Sequence, residues 1–171
     1  DKGAFRPEDT MTRAEVCALL AQALDVYAQG EGHFTDVPKD SWYAPSVNAM
    51  ASLGLVSGVG GGRFAPNATM TQEEFITVLG RLVEFLNLDA RAYLDEHPLA
   101  ILQPLAQYKS FSPWAIRCAD LLTGSVTDES GEAVTMYCTD LAHIEPKEPI
   151  LREQAAAALY NALRTTGTLK Y

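Results

Sequence analysis

Two arginines stand where a cation is out of place. Arg13 follows Thr12 and Arg152 follows Leu151, each in the first turn of a segment with helical apolar spacing. The positive end of a helix dipole disfavours a cation there, so each arginine needs a negative group nearby. Two sources fit: an acidic side chain of the chain itself, such as Asp9 or Asp36, or the carboxylate of a ligand. A guanidinium grips a carboxylate through two parallel hydrogen bonds, and a helix start adds unpaired N–H groups. Gln72 holds the matching place in a third helix. It can donate a hydrogen bond but brings no charge, so a groove there should be weaker or empty.

Other residues could support such a site. Trp42 and Trp114 occupy matching places near two shorter helices; an indole there either packs or offers a flat apolar face to a sugar ring. Asp36, in Phe34-Thr-Asp-Val37, suits a turn or a cap. Gly58, Gly60, Gly61 and Gly62 mark a loop that needs positive φ. No lysine follows and the spacing fits no nucleotide motif, so the loop is better read as bare backbone able to approach a ligand closely. Thr12 with Glu15 and Thr71 with Glu74 have the spacing of capping boxes, which explains these residues without any ligand.

Catalysis is not expected. Cys17, Cys118 and Cys138 with His33, His97 and His143 contain the ingredients of a nucleophile and a base, but their spacing brings none together. No cluster has metal-ligand spacing, and no cofactor is implied. Cys17, among Val16, Leu19 and Leu20, reads as a small core hydrophobe. Cys118 and Cys138 have the option of a disulfide, which sequence separation cannot settle.

The positioning elements follow from a repeat. An eleven-residue block occurs as Phe5–Glu15, Phe64–Glu74 and Ile144–Gln154, with an aromatic or aliphatic residue first, proline third and an apolar residue seventh. Each block precedes an apolar stripe at helical spacing: Val16, Leu19, Leu20, Ala23 and Tyr27; then Phe75, Val78, Leu79, Leu82 and Leu86; then Ala155, Ala158, Leu159, Ala162 and Leu163. Three such helices bury their stripes most simply against one another. A shorter helix is expected before block two, capped by Asp40 or Ser41, with Val47, Met50 and Ala51 inside and Gly54 ending it. Its counterpart runs from Trp114 through Leu122. An insertion at 125–141 replaces the glycine loop in the third unit, and 87–108 reads as a helix interrupted at Pro98 and Pro104. The first unit lacks its opening helix, so the chain, which opens on Asp1 without an initiator methionine, reads as a piece of a longer protein.

The gross numbers narrow the partners. The 171 residues are 47% hydrophobic and 20% charged, enough for a real core, and carry a formal charge of −9. That balance argues against nucleic acid and against an anionic membrane surface. No apolar run reaches the roughly 18 residues needed to span a bilayer, so no membrane insertion is expected.

These residues resemble the S-layer homology (SLH) domain, a module found as tandem triplets on bacterial surfaces. Residues 34–83 follow its pattern from Phe34-Thr-Asp-Val37 through Trp42 and the glycine loop to Phe64-Ala-Pro66. Residues 5–28 match its second half, with Thr12-Arg13-Ala14-Glu15 intact. Residues 108–164 match loosely: Tyr108 replaces phenylalanine, Trp114-Ala115 is present, and Leu151-Arg152-Glu153-Gln154 replaces the helix start. The implied organisation is the second half of repeat 1 at 1–33, repeat 2 at 34–88, a connecting segment at 89–107 and a divergent repeat 3 at 108–171 carrying the 125–141 insertion. The resemblance implies a mostly α, three-fold pseudo-symmetric bundle of three central helices with short outer helices and Gly-rich loops. It also implies an extracellular, cell-wall location on Gram-positive-type envelopes. There the module would bind an acidic, pyruvylated secondary cell-wall polysaccharide in grooves between repeats, through Arg13, Trp42, Asp36, Gly58, Gly60, Gln72, Trp114 and Arg152. The groove bearing Arg13 and Trp42 is the first candidate. Upstream domains or a second chain would complete repeat 1. The alternative is a degenerate module that mediates protein–protein contact or S-layer assembly without binding glycan.

Overall fold

The computed structural model describes residues 4–28, 32–86, 110–123, 125–127, 133–135, 144–166 and 168. These form a mostly helical chain: α1 (Arg13–Leu24), α2 (Ala44–Ser52), α3 (Gln72–Leu86), α4 (Pro113–Thr123) and α5 (Arg152–Thr165), with β1 (Ser125–Thr127) and β2 (Ala133–Thr135) between α4 and α5. The strands pair antiparallel with Val126 opposite Val134, inside the stretch expected to be an insertion. The connecting segment 89–107, Cys138, His97 and His143 lie outside the described residues.

The repeated block builds one object three times. The N–H of Met11 donates to the carbonyl of Ile150 (3.1 Å), that of Ile150 to Met70 (3.0 Å) and that of Met70 to Met11 (3.0 Å), which closes a ring. Around it, each long helix hands its first two N–H groups to the next block: Arg13 to Ala68 and Ala14 to Pro66, Gln72 to Glu148 and Glu73 to Pro146, Arg152 to Asp9 and Glu153 to Pro7, all at 2.8–3.1 Å. The third N–H goes to the capping threonine in α1 (Glu15 to Thr12 Oγ1, 3.2 Å) and α3 (Glu74 to Thr71 Oγ1, 3.3 Å). Donors that a helix start leaves unpaired are therefore used up inside the fold. The N–H groups expected to help catch an anion are already taken.

The apolar stripes mostly pack as their spacing demands. Phe75, Val78, Leu79 and Leu82 of α3 and Ala155, Ala158, Leu159, Ala162 and Leu163 of α5 are buried together with Val16 and Leu20 of α1. Ala23 and Tyr27 are not. Asp25 takes a left-handed conformation (φ 53°) and stops α1, and its N–H closes on the Ala21 and Gln22 carbonyls, so Tyr27 falls beyond the helix. Ala14, Cys17 and Ala21 face the core in their stead.

In α2, Val47 and Met50 are buried and Gly54 (φ 73°) ends the helix. Its N–H goes to Ala51 and that of Leu55 to Met50, the paired closure that glycine permits after a helix. The start differs from expectation. Neither Asp40 nor Ser41 caps through its side chain; Tyr43 holds the cap position, and Ser41 Oγ donates to Pro38 O at 2.7 Å. Pro45 in the first turn has no N–H to satisfy, which leaves less for a cap to do.

Two contacts fix α4 on α3. A Cβ added at Gly80 would lie 2.5 Å from Cys118 Cβ, so the helices approach at a spacing only glycine allows. At the start of α4, the buried Glu73 carboxylate accepts from Ser112 N (2.9 Å) and Ser112 Oγ (3.0 Å) and pairs with Lys147. Burial raises its pKa, but Lys147 and Ser112 outweigh it and hold the carboxyl below its ordinary value. Neither contact was legible in the block pattern.

Candidate functional site

An open cleft of about 520 Å³ lies where α1, α3, α4 and the Val56–Val59 segment meet. Its lining includes Arg13, Ser57, Gly58, Glu74, Arg81 and Trp114.

Arg13 forms part of the wall and is 8% exposed. Its Nε donates to Phe64 O (2.9 Å), Nη2 to Ser57 O (2.7 Å) and Nη1 to Glu74 Oε1 (3.4 Å), and the guanidinium sits 4.6 Å from the centre of the Phe64 ring. The anion that offsets this first-turn cation is thus Glu74, not Asp9 or Asp36. Glu74 has two jobs. Its Oε2 accepts from the Thr71 N–H at 2.9 Å, closing the capping box, while Oε1 faces Arg13. The same arrangement recurs at Arg152, whose Nη2 meets Glu15 Oε1 at 2.6 Å while Glu15 Oε2 accepts from Thr12 N at 2.8 Å. Burial raises the Glu15 pKa, and the Thr12 and Arg152 hydrogen bonds bring it below the ordinary value. In the third pair Gln72 replaces arginine and Gln154 replaces glutamate, with Gln154 Oε1 accepting from Leu151 N at 3.1 Å. The change from charged to neutral affects both partners.

The loop residues have separable roles. Gly58 is a close-approach position: a Cβ there would lie 2.6 Å from Arg63 O and 2.8 Å from the Phe34 ring. That approach lets Val59 N bond Arg63 O (2.8 Å) and Arg63 N bond Gly60 O (3.1 Å), which holds Ser57 against Arg13. Gly60, Gly61 and Gly62 all have positive φ; Gly60 lies at the loop tip and does not line the cleft. Asp36 braces the other side. Its Oδ1 accepts from Phe64 N (2.7 Å) and Oδ2 from Ala65 N (2.8 Å), pinning Ala65 at φ 57°, where an L-residue is strained. Burial raises the pKa of Asp36, but these N–H donors pull it below its ordinary value. Asp36 shapes the loop and does not line the cleft.

The indole in the cleft is Trp114, 54% exposed. Trp42, expected beside Arg13, is 67% exposed, stands edge-on to Tyr43 at 5.3 Å and does not line this cleft. Trp114 begins the unit that follows the loop, so the fold, not sequence proximity, brings it to Arg13. Arg152 pairs with Glu15 and its buried Nε has no partner, whereas the matching Nε of Arg13 reaches Phe64 O. Phe5, which stands at the position of Phe64, is 58% exposed.

Arg81 was missed. It lies on α3 at helical spacing from Glu74 and Val78, and Nη1 reaches Ser57 Oγ (3.3 Å) and Leu55 O (3.4 Å). The repeat pattern could not flag it, because α1 and α5 carry no arginine at the corresponding place.

Neither described cysteine lines the cleft. Burial pushes the Cys17 thiol up to about 12 and the Cys118 thiol to about 11, and both are free, buried thiols. Cys138, the partner weighed for Cys118, is not described. Among the described residues no group of three or more His, Cys, Asp or Glu could hold a metal ion, and no helix is long and apolar enough to cross a membrane. The arrangement can bind: a charged wall, an exposed indole and bare loop backbone around one cleft.

Residues 33–76 match the family model of the S-layer homology domain. Over 90% of its length the chain is 28% identical to the Surface-layer 125 kDa protein of Lysinibacillus sphaericus, covering 12% of that protein. An amylopullulanase of Thermoanaerobacterium thermosulfurigenes is 27% identical over 96% of the chain, which covers 8% of it. A cellulosome-anchoring protein of Acetivibrio thermocellus is 30% identical over 49% of the chain and 20% of its own length. The chain spans only a small part of each relative, so what it shares with the amylopullulanase is a short region and not the whole enzyme.

Proposed function

We propose that this S-layer homology chain anchors a protein to the bacterial cell surface by binding an acidic secondary cell-wall polysaccharide in the cleft lined by Arg13, Arg81 and Trp114. The observation that carries the proposal is the cleft itself: two guanidiniums, an exposed indole and a glycine-edged backbone converge there. The relatives named for surface layers and for anchoring support a role at the cell surface. The closed hydrogen-bond ring supports a three-fold pseudo-symmetric bundle of three repeats, divided as the sequence suggests at 34–88 and 108–171.

One cleft carries the binding. Arg152 is drawn to Glu15 and the Gln72 position is neutral, so these grooves offer weaker sites. Trp42, Asp36 and Gly60 contribute shape or secondary contacts, with Gly58 approaching the sugar.

Co-sedimentation with purified cell walls tests this reading. Walls bearing pyruvylated polysaccharide should retain the chain, and walls stripped of the pyruvate should retain it poorly. Equal retention on both removes the acidic group from recognition. The observation favouring protein–protein contact instead is the Arg152–Glu15 pair, in which the guanidinium already has its counter-charge within the chain; retention by neither wall preparation would support that alternative.

A further inference from the structure

Resting on the reading of the cleft as a glycan site, we infer that Arg81 and not Arg13 is the cation that takes the ligand's carboxylate, and that Glu74 sets the direction in which the ligand lies. Arg13 is committed. Two of its donors make short bonds, to Phe64 O (2.9 Å) and Ser57 O (2.7 Å), a third faces the Glu74 carboxylate at 3.4 Å, its face lies on the Phe64 ring, and 8% of the residue is exposed. The helix-start N–H groups around it are bonded to Ala68, Pro66 and Thr12. What remains is a strut tying α1 to the Ser57–Phe64 loop, its charge offset by an acid.

Arg81 is in the opposite condition. Its hydrogen bonds, at 3.3 and 3.4 Å, lie at the long end of the useful range and both use Nη1. Among the described residues no carboxylate pairs with it. Nε and Nη2 are left for a bidentate grip on a carboxylate, the geometry a guanidinium suits best. The cleft is therefore electrically polar along α3. Glu74, its side chain 32% exposed, sits at one end and Arg81 seven residues on, about 10 Å along the axis. A carboxylate placed beside Glu74 meets a like charge; beside Arg81 it meets an unbalanced cation. The ligand's acidic end lies toward Arg81, its hydroxyls toward Glu74 and Arg13, with its ring against Trp114.

The probe is purified bacterial cell wall, used as prepared and after amidation of its carboxylates, with the full chain in a sedimentation assay. Arg81→Gln should lower retention on native wall about ten-fold or more, the scale of a lost charged hydrogen bond. It should bring retention to the level wild type shows on amidated wall, with no further drop when the variant meets amidated wall. Arg81→Lys should recover part of the loss, and circular dichroism melts should show both variants folded. Wild-type retention by Arg81→Gln, alongside loss in Trp114→Ala, overturns the inference and leaves the glycan reading standing. Wild-type binding that survives amidation overturns the carboxylate assignment. Wild-type behaviour in both Arg81→Gln and Trp114→Ala, or no binding by wild type, removes the glycan reading and the inference together.

Discussion

Arg152 and Glu15 meet at 2.6 Å across two helix starts, and the same carboxylate closes the capping box of α1 through its other oxygen at Thr12. One glutamate thus terminates its own helix and neutralises the misplaced cation of another. Glu74 does the same for Thr71 and Arg13. The local and long-range roles share a side chain, so a change at either glutamate affects two helices.

Glu15→Gln should cost about 1–2 kcal/mol, because an amide can still accept at Thr12 but leaves Arg152 without its counter-charge. Glu74→Gln should behave likewise through Arg13. Urea denaturation measures both, and a loss below about 0.3 kcal/mol in each would show the pairs contribute nothing net.

Acid should destabilise the fold. Glu15 and Glu73 both have pKa values lowered in the folded chain relative to the ordinary 4.5. Each then contributes stability that is fully present above 4.5 and is lost as pH falls through the lower folded value. The midpoint of urea unfolding should hold level from pH 7 to about 5 and decline below 4.5, and the decline should flatten in the Glu15→Gln/Glu73→Gln double variant. An unchanged slope in that variant would assign acid sensitivity to other groups.

Gly80→Ala should destabilise by about 1–3 kcal/mol despite alanine's better helix propensity. The added methyl would press on Cys118 Cβ at 2.5 Å, with the Cys118 backbone 3.1 Å away. Cys118→Gly removes part of the obstacle, so the double change should cost less than the two single changes summed. Additive losses would place the strain elsewhere.

Gly58→Ala should loosen the loop and weaken wall retention, because the new methyl collides with Arg63 O and Phe34 and shifts Ser57 away from Arg13. Gly60→Ala tests conformation without collision: nothing lies within 4 Å, but φ is 103°. Retention equal to wild type in Gly58→Ala would detach the loop from the site.

Trp114→Ala should reduce wall retention by about five- to ten-fold, on the scale of one aromatic stacking contact, with little change in melting temperature since the ring is more than half exposed. Trp42→Ala should reduce it less. A larger effect at Trp42 would move the principal site to another groove.

Much of this was legible from the sequence. The blocks announced three long helices, because proline, the apolar stripe and, in two of them, a capping threonine act within a few residues of each other. Gly54 and the Trp114–Leu122 helix were readable for the same reason. The counter-ions of Arg13 and Arg152 were not, since Glu74 and Glu15 already had a sufficient local explanation as caps and nothing in one dimension signals the second bond. Order along the chain does not signal that Trp114, from the following unit, lines the cleft with Arg13. Arg81 and the Gly80–Cys118 approach break the repeat, so repetition could not reveal them. Asp40 and Ser41 were expected to cap α2 on residue type, but Pro45 had already removed a donor from its first turn.

The Met11–Ile150–Met70 circuit has a consequence for how the chain comes apart. Each segment's amide is satisfied by a different segment, so unzipping any one strands a donor on one neighbour and an acceptor on the other. The three segments are therefore coupled at their shared centre. Disturbance of any one of the three segments is thereby passed to the other two.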